Sequence, residues 1–279
     1  MTEEKLSGIV EAMPEEQYHA HPALSSTNAR LLLDSPARFH YRQSHPQPHK
    51  AAFDLGSAVH SKVLGVGYPV EALDFPDFRT KAAQTARDEA YAGGMIPMLA
   101  KDLTLVDDIA EAALGHPTAR ALLERPGTAE ASVFAHDPAT GVDMRARFDF
   151  LPDVTDGRRV TVDLKTSGKS AAATEFERTV LNFGYHVQQG HYLDALALAE
   201  GDTDAAMVFV VVETEAPHLV AVHQLDVVYS EMGLTLARRA RQLFRECTDT
   251  DKWPGHPDEV TLVSPPTYAV IQHEERYGN

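Results

Sequence analysis

In "VTVDLKTSGKS", residues 160–170, Asp163 and Lys165 stand two apart at the end of an apolar run. If the run is a strand, the period of two places Thr161, Asp163 and Lys165 on one side and Val160, Val162 and Leu164 on the other. Upstream, "VDMRARFDF" alternates in the same way. Val142, Met144, Ala146, Phe148 and Phe150 share one face, and Asp143, Arg145, Arg147 and Asp149 share the opposite one. In "AEASVF" Glu130 and Ser132 fall together. Were these three strands neighbours, one sheet face would gather Glu130, Asp149, Asp163 and Lys165, with Arg145 and Arg147 beside them. Carboxylates and a backbone carbonyl are hard oxygen ligands suited to Mg²⁺ or Mn²⁺. Such an ion polarises a phosphate and acidifies a bound water. A nearby lysine can position or deprotonate that water, or offset charge growing on phosphorus. Alone, an Asp-x-Lys pair is equally what a solvated strand with a surface salt pair carries.

Two further stretches hold polar groups on apolar faces. In "FDLGSAVHSKVL", Phe53, Gly56, His60 and Val63 fall on one helical stripe, so His60 points inward. A satisfied core histidine would look the same. Gly56, one turn earlier, suggests close packing against another backbone, at a cost in helix propensity. In "GYHVQQGHYLDAL", Tyr185, Gln188 and Tyr192 are spaced i, i+3 and i+7. This is either the rim of a helix interface or a hydrogen-bonding group for a phosphate or a water.

The elements that must hold these residues follow from periodicity. Residues 1–22 read as an irregular, polar arm. "LSSTNARLLLDSPARFHYRQ" reads as two short helices broken at Ser35-Pro36, with Ser25 or Ser26 as N-cap. "SHPQPHK" reads as an exposed loop. Helices are expected from Ala51 to Leu64, over 79–92 and over 98–124, the last two joined through "GGMIP". The period then changes to two strands around a turn at Pro138 to Gly141, and a third from Arg159 to Lys165. Helices over 171–183 and 185–199, strands over 206–213 and 218–225, and an amphipathic helix over 227–247 complete the chain, before an irregular tail. The expected fold class is α/β (α+β), a central mixed sheet flanked by helices. The expected organisation is an arm over 1–22, a helical region over 23–125, a core over 126–250 and a tail over 251–279, forming one compact structural domain.

Composition narrows the function classes. Hydrophobic residues at 43% and charged residues at 24% are those of an ordinary soluble protein. The single cysteine, Cys247, excludes a disulfide framework, a four-thiolate iron–sulfur cluster and a cysteine-based zinc site. It fits a reducing cytoplasm. The acidic start lacks the basic and apolar regions of a signal peptide, and no run of about 18 apolar residues occurs. The net charge of -16 argues against a protein that coats nucleic acid. An acidic enzyme can still act on DNA if its carboxylates gather around metal ions and its arginines line one channel.

Taken in order, "GSAVH", "AEASVF", "MRARFDF", "TVDLKTS" and "GYHVQQGHY" resemble the PD-(D/E)xK nuclease superfamily, with a restriction-endonuclease-like core. The nearest likeness is to the nuclease domain of the exonuclease VIII (RecE) type and its phage relatives. "YHAHPALSSTNARLLLDSPARFHY" resembles that family's N-terminal signature and "WPG" its C-terminal one, so the likeness runs from about Tyr18 to Pro254. It implies that His60, Asp149 and Asp163 bind metal with the Leu164 carbonyl, that Glu130 helps, and that Lys165 is catalytic. Gln188 and Tyr192 match the family's Q-x-x-x-Y motif, which orients substrate or water.

The function so implied is a Mg²⁺-dependent (Mn²⁺ substituting) exonuclease on linear double-stranded DNA, running 5′→3′, in phage-type recombination within a bacterial cytoplasm. The implied partners are DNA ends, a RecT-like single-strand annealing protein and further copies of the chain in a ring. Rival readings are an endonuclease, a single-strand nuclease, or an inactive DNA-end or partner-binding module of the same fold. Arg145, Arg147 and Lys169 are candidate DNA contacts. His19, His21, His40, His45 and His49 lack a third well-placed zinc ligand. "GVGYP" is read as a loop, and no Walker A motif exists for ATP. Arg238, Arg239, Arg241 and Arg245 are read as a solvated helix face.

Overall fold

The structure, a computed structural model, describes residues 6–45, 54–155 and 157–278. His49, Phe53 and the expected helix start at Ala51 lie outside the described residues. The central sheet has seven strands: β1 (Gly8–Val10), β2 (Leu24–Ser25), β5 (Gly127–Asp137), β6 (Val142–Pro152), β7 (Val160–Ser167), β8 (Ala206–Glu213) and β9 (Val220–Gln224). Their order is β1-β5-β6-β7-β8-β9, with β2 pairing β6. Only β7–β8 and β2–β6 are parallel, so the sheet is mixed. A separate parallel pair, β3 (Val70–Leu73) and β4 (Ile96–Leu99), lies outside it.

Helices cover both faces because β8 is apolar from Ala206 to Val212. Met207, Phe209 and Val211 enter one core, with α8 (Ala173–Phe183) and α9 (Tyr185–Glu200). Val208, Val210 and Val212 enter the other, with α4 (Asp54–Leu64), α6 (Leu103–Gly115) and α7 (Pro117–Leu123). A run buried on both faces is what a central strand beside a parallel neighbour requires. A third core joins α2 (Ser26–Asp34) and α3 (Pro36–Ser44) to α10 (Val227–Thr250) through Leu32, Phe39, Ala240 and Trp253. As the sequence predicts, Ser25 caps α2 by accepting from the Asn28 amide. The break at Ser35-Pro36 is real, with Pro36 opening α3.

Several expectations need correction. The arm is not irregular: Gly8–Val10 pairs antiparallel with β5, and α1 (Glu15–Ala20) buries Tyr18. "MIPML" begins no helix but gives β4, paired with β3 alone, where Pro97 interrupts the helical period. The tail holds a helix, α11 (Thr267–Tyr277), exposed along its length. Arg241 does not lie on a solvated face; it is buried and bridges Asp137 and Asp194.

The helix that carries the Q-x-x-x-Y residues is placed by a glycine contact. A Cβ on Gly190 would lie 2.4 Å from the Gly233 carbonyl carbon, and one on Gly233 1.9 Å from the His186 oxygen. α9 and α10 therefore cross backbone to backbone, and Gln189 also donates to Ser230 at 2.8 Å.

Candidate active site

Strict alternation holds along β6 only as far as Phe148. Met144, Ala146 and Phe148 pack toward α9, whereas Phe150 packs in the opposite core. The partner strand inverts at the matching position, with Ala131 in the first core, Ala129 against the second, and Glu130 between them at φ 52°. A positive φ is costly for a glutamate and points to local constraint. Glu130 and Asp149 thus sit where the two strands turn over together. Phe150 pairs with Val162 across β6 and β7. Just beyond, the Leu164 amide donates to the Asp149 side chain at 2.6 Å.

This inversion brings three ligand-bearing groups together. Donor atoms of His60, Glu130 and Asp149 all lie within 4.8 Å of one another. His60 comes from α4, which passes β7 closely at Gly56: a Cβ there would lie 3.2 Å from the Thr166 hydroxyl, a tight contact. Its Nε2 lies 2.7 Å from the Leu164 carbonyl oxygen and its Nδ1 3.7 Å from Asp149. Burial, and then the Asp149 charge, raises the Glu130 pKa. Burial, and then Asp163, raises that of Asp149. A crowded set of half-buried carboxylates beside a histidine and the Leu164 carbonyl fits a divalent cation, whose charge would relieve what raises both pKa values.

Asp163 is not one of those three, but its charge acts directly on Asp149. It pairs with Phe209 of β8, facing α9, and its two oxygens are taken by Gln188 and by the Lys165 ammonium. Burial disfavours the charged lysine, but Asp163 and Asp149 outweigh it and raise its pKa. Lys165 Nζ also lies 4.9 Å from the Tyr185 ring centre, a cation–π contact. A cleft of about 630 Å³ opens over these groups, lined by His60, Glu130, Lys165, Lys169, Phe183 and Tyr185 among others.

Other expected site residues are placed differently. Arg145 and Arg147 do not reach the cleft: both guanidiniums lie over Tyr18, at 4.9 and 4.2 Å from its ring centre, and both side chains are buried. Arg145 bonds the Tyr18 carbonyl, and Arg147 bonds Ser132 (3.0 Å) and the Met13 carbonyl (2.8 Å). Folding of residues 8–20 against β5 and β6 converts these arginines from a surface into an interior layer. Tyr192 is buried, packs on Phe148 (5.1 Å between ring centres) and is hydrogen-bonded to Ser26. Lys169 is exposed at the cleft and donates to Glu175 at 3.0 Å.

Sequence reasoning gave no role to Arg30 of α2 or to Phe183. Arg30 bonds the Phe183 carbonyl and so ties α2 to the junction of α8 and α9. No pattern marks it, because the contact spans most of the chain.

An acid pair on splayed strands, an Asp-x-Lys strand parallel to its neighbour, and a helix closing over them define a PD-(D/E)xK-type nuclease core. The chain belongs to the family described as "PDDEXK-like domain of unknown function (DUF3799)", whose model matches residues 25–265. No curated protein matches it in sequence. A crystal structure from Eubacterium rectale, described as "Putative exonuclease", is similar in fold with a TM-score of 0.60. The two are 10% identical over 94% of this chain and 98% of that one. A phage related exonuclease from Haemophilus somnus 129PT gives a TM-score of 0.34 at 10% identity, over 85% and 100% of the two chains. Likeness at such identities concerns the fold alone.

Proposed function

We propose that the protein is a metal-dependent exodeoxyribonuclease acting on linear double-stranded DNA in the 5′→3′ direction. The observation that carries this reading is the convergence of His60, Glu130 and Asp149 within 4.8 Å, beside the Asp163–Lys165 pair in one cleft. His60, Asp149 and Asp163, with the Leu164 carbonyl and help from Glu130, would hold Mg²⁺, for which Mn²⁺ substitutes. When bound, the cation supplies polarisation of the scissile phosphate and a more acidic water.

The chain's own residues do the rest. Lys165, kept as an ammonium by its two acidic neighbours, offsets charge developing on the phosphoryl oxygens. Gln188 fixes the orientation of Asp163 through its amide. Tyr192, behind Phe148, braces α9 at a set distance from β6. The buried Tyr18–arginine layer supports the strands that carry Glu130 and Asp149. Lys169 is the remaining candidate for a contact with the DNA backbone. The proposal extends to a cytoplasmic setting, a ring of copies around DNA and a single-strand annealing partner, all drawn from the family resemblance.

Incubation of the purified protein with linear duplexes labelled at the 5′ or the 3′ end tests the reading. Mg²⁺-dependent release of the 5′ label first, with covalently closed circles left intact, is the expected result. Cleavage of closed circles would instead make it an endonuclease, and full activity in excess chelator would remove the metal from the mechanism.

A further inference from the structure

Resting on the nuclease reading, we infer that Phe183 forms a base-stacking subsite for a nucleotide flanking the scissile phosphate. Residues two apart in a helix point away from one another, yet the rings of Phe183 and Tyr185 are stacked, 5.8 Å apart at 22°. The chain achieves this by breaking between α8 and α9 at Gly184, whose φ of 66° is left-handed. The break is locked from outside. Arg30 bonds the Phe183 carbonyl, and a Cβ on residue 184 would meet Arg30 Cδ at 2.8 Å.

Tyr185 in turn stacks on Phe209 at 5.8 Å and 18° and takes the Lys165 ammonium at 4.9 Å. The result is an aromatic ladder running from the interior past the catalytic lysine to Phe183, which lines the cleft and is 61% exposed. An exposed phenylalanine held in register with a buried stack offers a π face to any base, without reading its identity. A base inside a duplex is covered on both faces, so the subsite takes a nucleotide at the strand end or one unpaired from its partner strand. The cleft wall beside it carries Lys169, Ser170 and Thr179, polar groups suited to the sugar–phosphate of the same nucleotide.

The test uses the full chain, Mg²⁺ and a phosphorothioate oligonucleotide duplex with a short unpaired end carrying 2-aminopurine. Wild type quenches the fluorescence on binding. Phe183→Ala loses the quench and binds about tenfold more weakly, whereas Phe183→Trp keeps both and Phe183→Leu recovers neither fully. Because the ring is exposed, the unfolding midpoint of Phe183→Ala stays that of wild type. Quenching and affinity unchanged in Phe183→Ala, with wild-type cleavage of normal DNA intact, would overturn the subsite and leave the nuclease reading standing. A wild-type protein that neither binds nor cleaves any DNA would overturn both.

Discussion

Lys165 is the side chain whose role is most sharply set by its surroundings. Its raised pKa follows from Asp163 and Asp149 winning over burial, so it acts as a fixed positive charge in this arrangement. Lys165→Ala is therefore expected to lower kcat by at least about 100-fold with the fold retained, as measured by initial rates on labelled duplex. Lys165→Arg, which keeps the charge, should recover part of that loss. Tyr192 makes the opposite prediction. Its hydroxyl meets Ser26 in the interior and does not line the cleft, so Tyr192→Phe should cost about 1 kcal/mol of stability while leaving kcat within a few-fold of wild type. A loss of kcat like that of Lys165→Ala would place the phenol at the reaction instead. The Asp-x-Lys pair and the shared face of its two side chains were readable from a period of two, whereas their facing α9 was not. The burial of Arg145 and Arg147 was not, because it depends on Tyr18 arriving from a segment with no strong periodicity of its own.

At the scale of elements, α9 is positioned by close backbone contact and by buried polar groups. Gly233→Ala puts a methyl into the His186 carbonyl, and overpacking of this kind costs about 1–3 kcal/mol, read as a lower urea midpoint. Activity should fall with it, since Gln188 rides on the same helix. His191, fully buried on α9 with Nε2 3.1 Å from the Arg145 carbonyl oxygen, has its pKa lowered from 6.5 to about 4 by burial. A depressed histidine binds its proton more readily in the unfolded chain, so its contribution is complete above about pH 6.5 and fades as pH falls toward 4. The loss is about 2 kcal/mol by pH 5. His191→Gln should shrink the difference in urea stability between pH 7.5 and pH 5 by about that much, and an unchanged difference would contradict the assignment. The hairpin of β5 and β6, the order of elements from there to α10 and a mixed sheet were legible from apolar period and run length, whereas the short strands β1 to β4 were not. The turning-over of β5 and β6 at Glu130 and Asp149 was not. Strict alternation assumes a flat strand, and a left-handed glutamate leaves no mark in composition.

The whole molecule joins a packed body to a C-terminal segment that adds little to it. Trp253 stacks on His40 at 4.8 Å and packs on Phe39 and Phe244, and the Pro254 carbonyl accepts from the Ala37 amide. Residues beyond Gly255 are exposed almost throughout, including Val260, Leu262 and Val263. Truncation after His256 should leave the unfolding midpoint within about 0.5 kcal/mol of wild type, while Trp253→Ala should cost about 1–3 kcal/mol through lost packing. With a net charge of -16 on the chain, a divalent cation held at His60, Glu130 and Asp149 would offset the local negative charge where DNA has to approach. The most direct test of the account is calorimetric titration of Mn²⁺ into wild type and Asp149→Asn, with circular dichroism to confirm the fold of both. The account predicts saturable binding by wild type that Asp149→Asn weakens by more than about tenfold. Equal binding by the two proteins, or no binding by wild type, would contradict it.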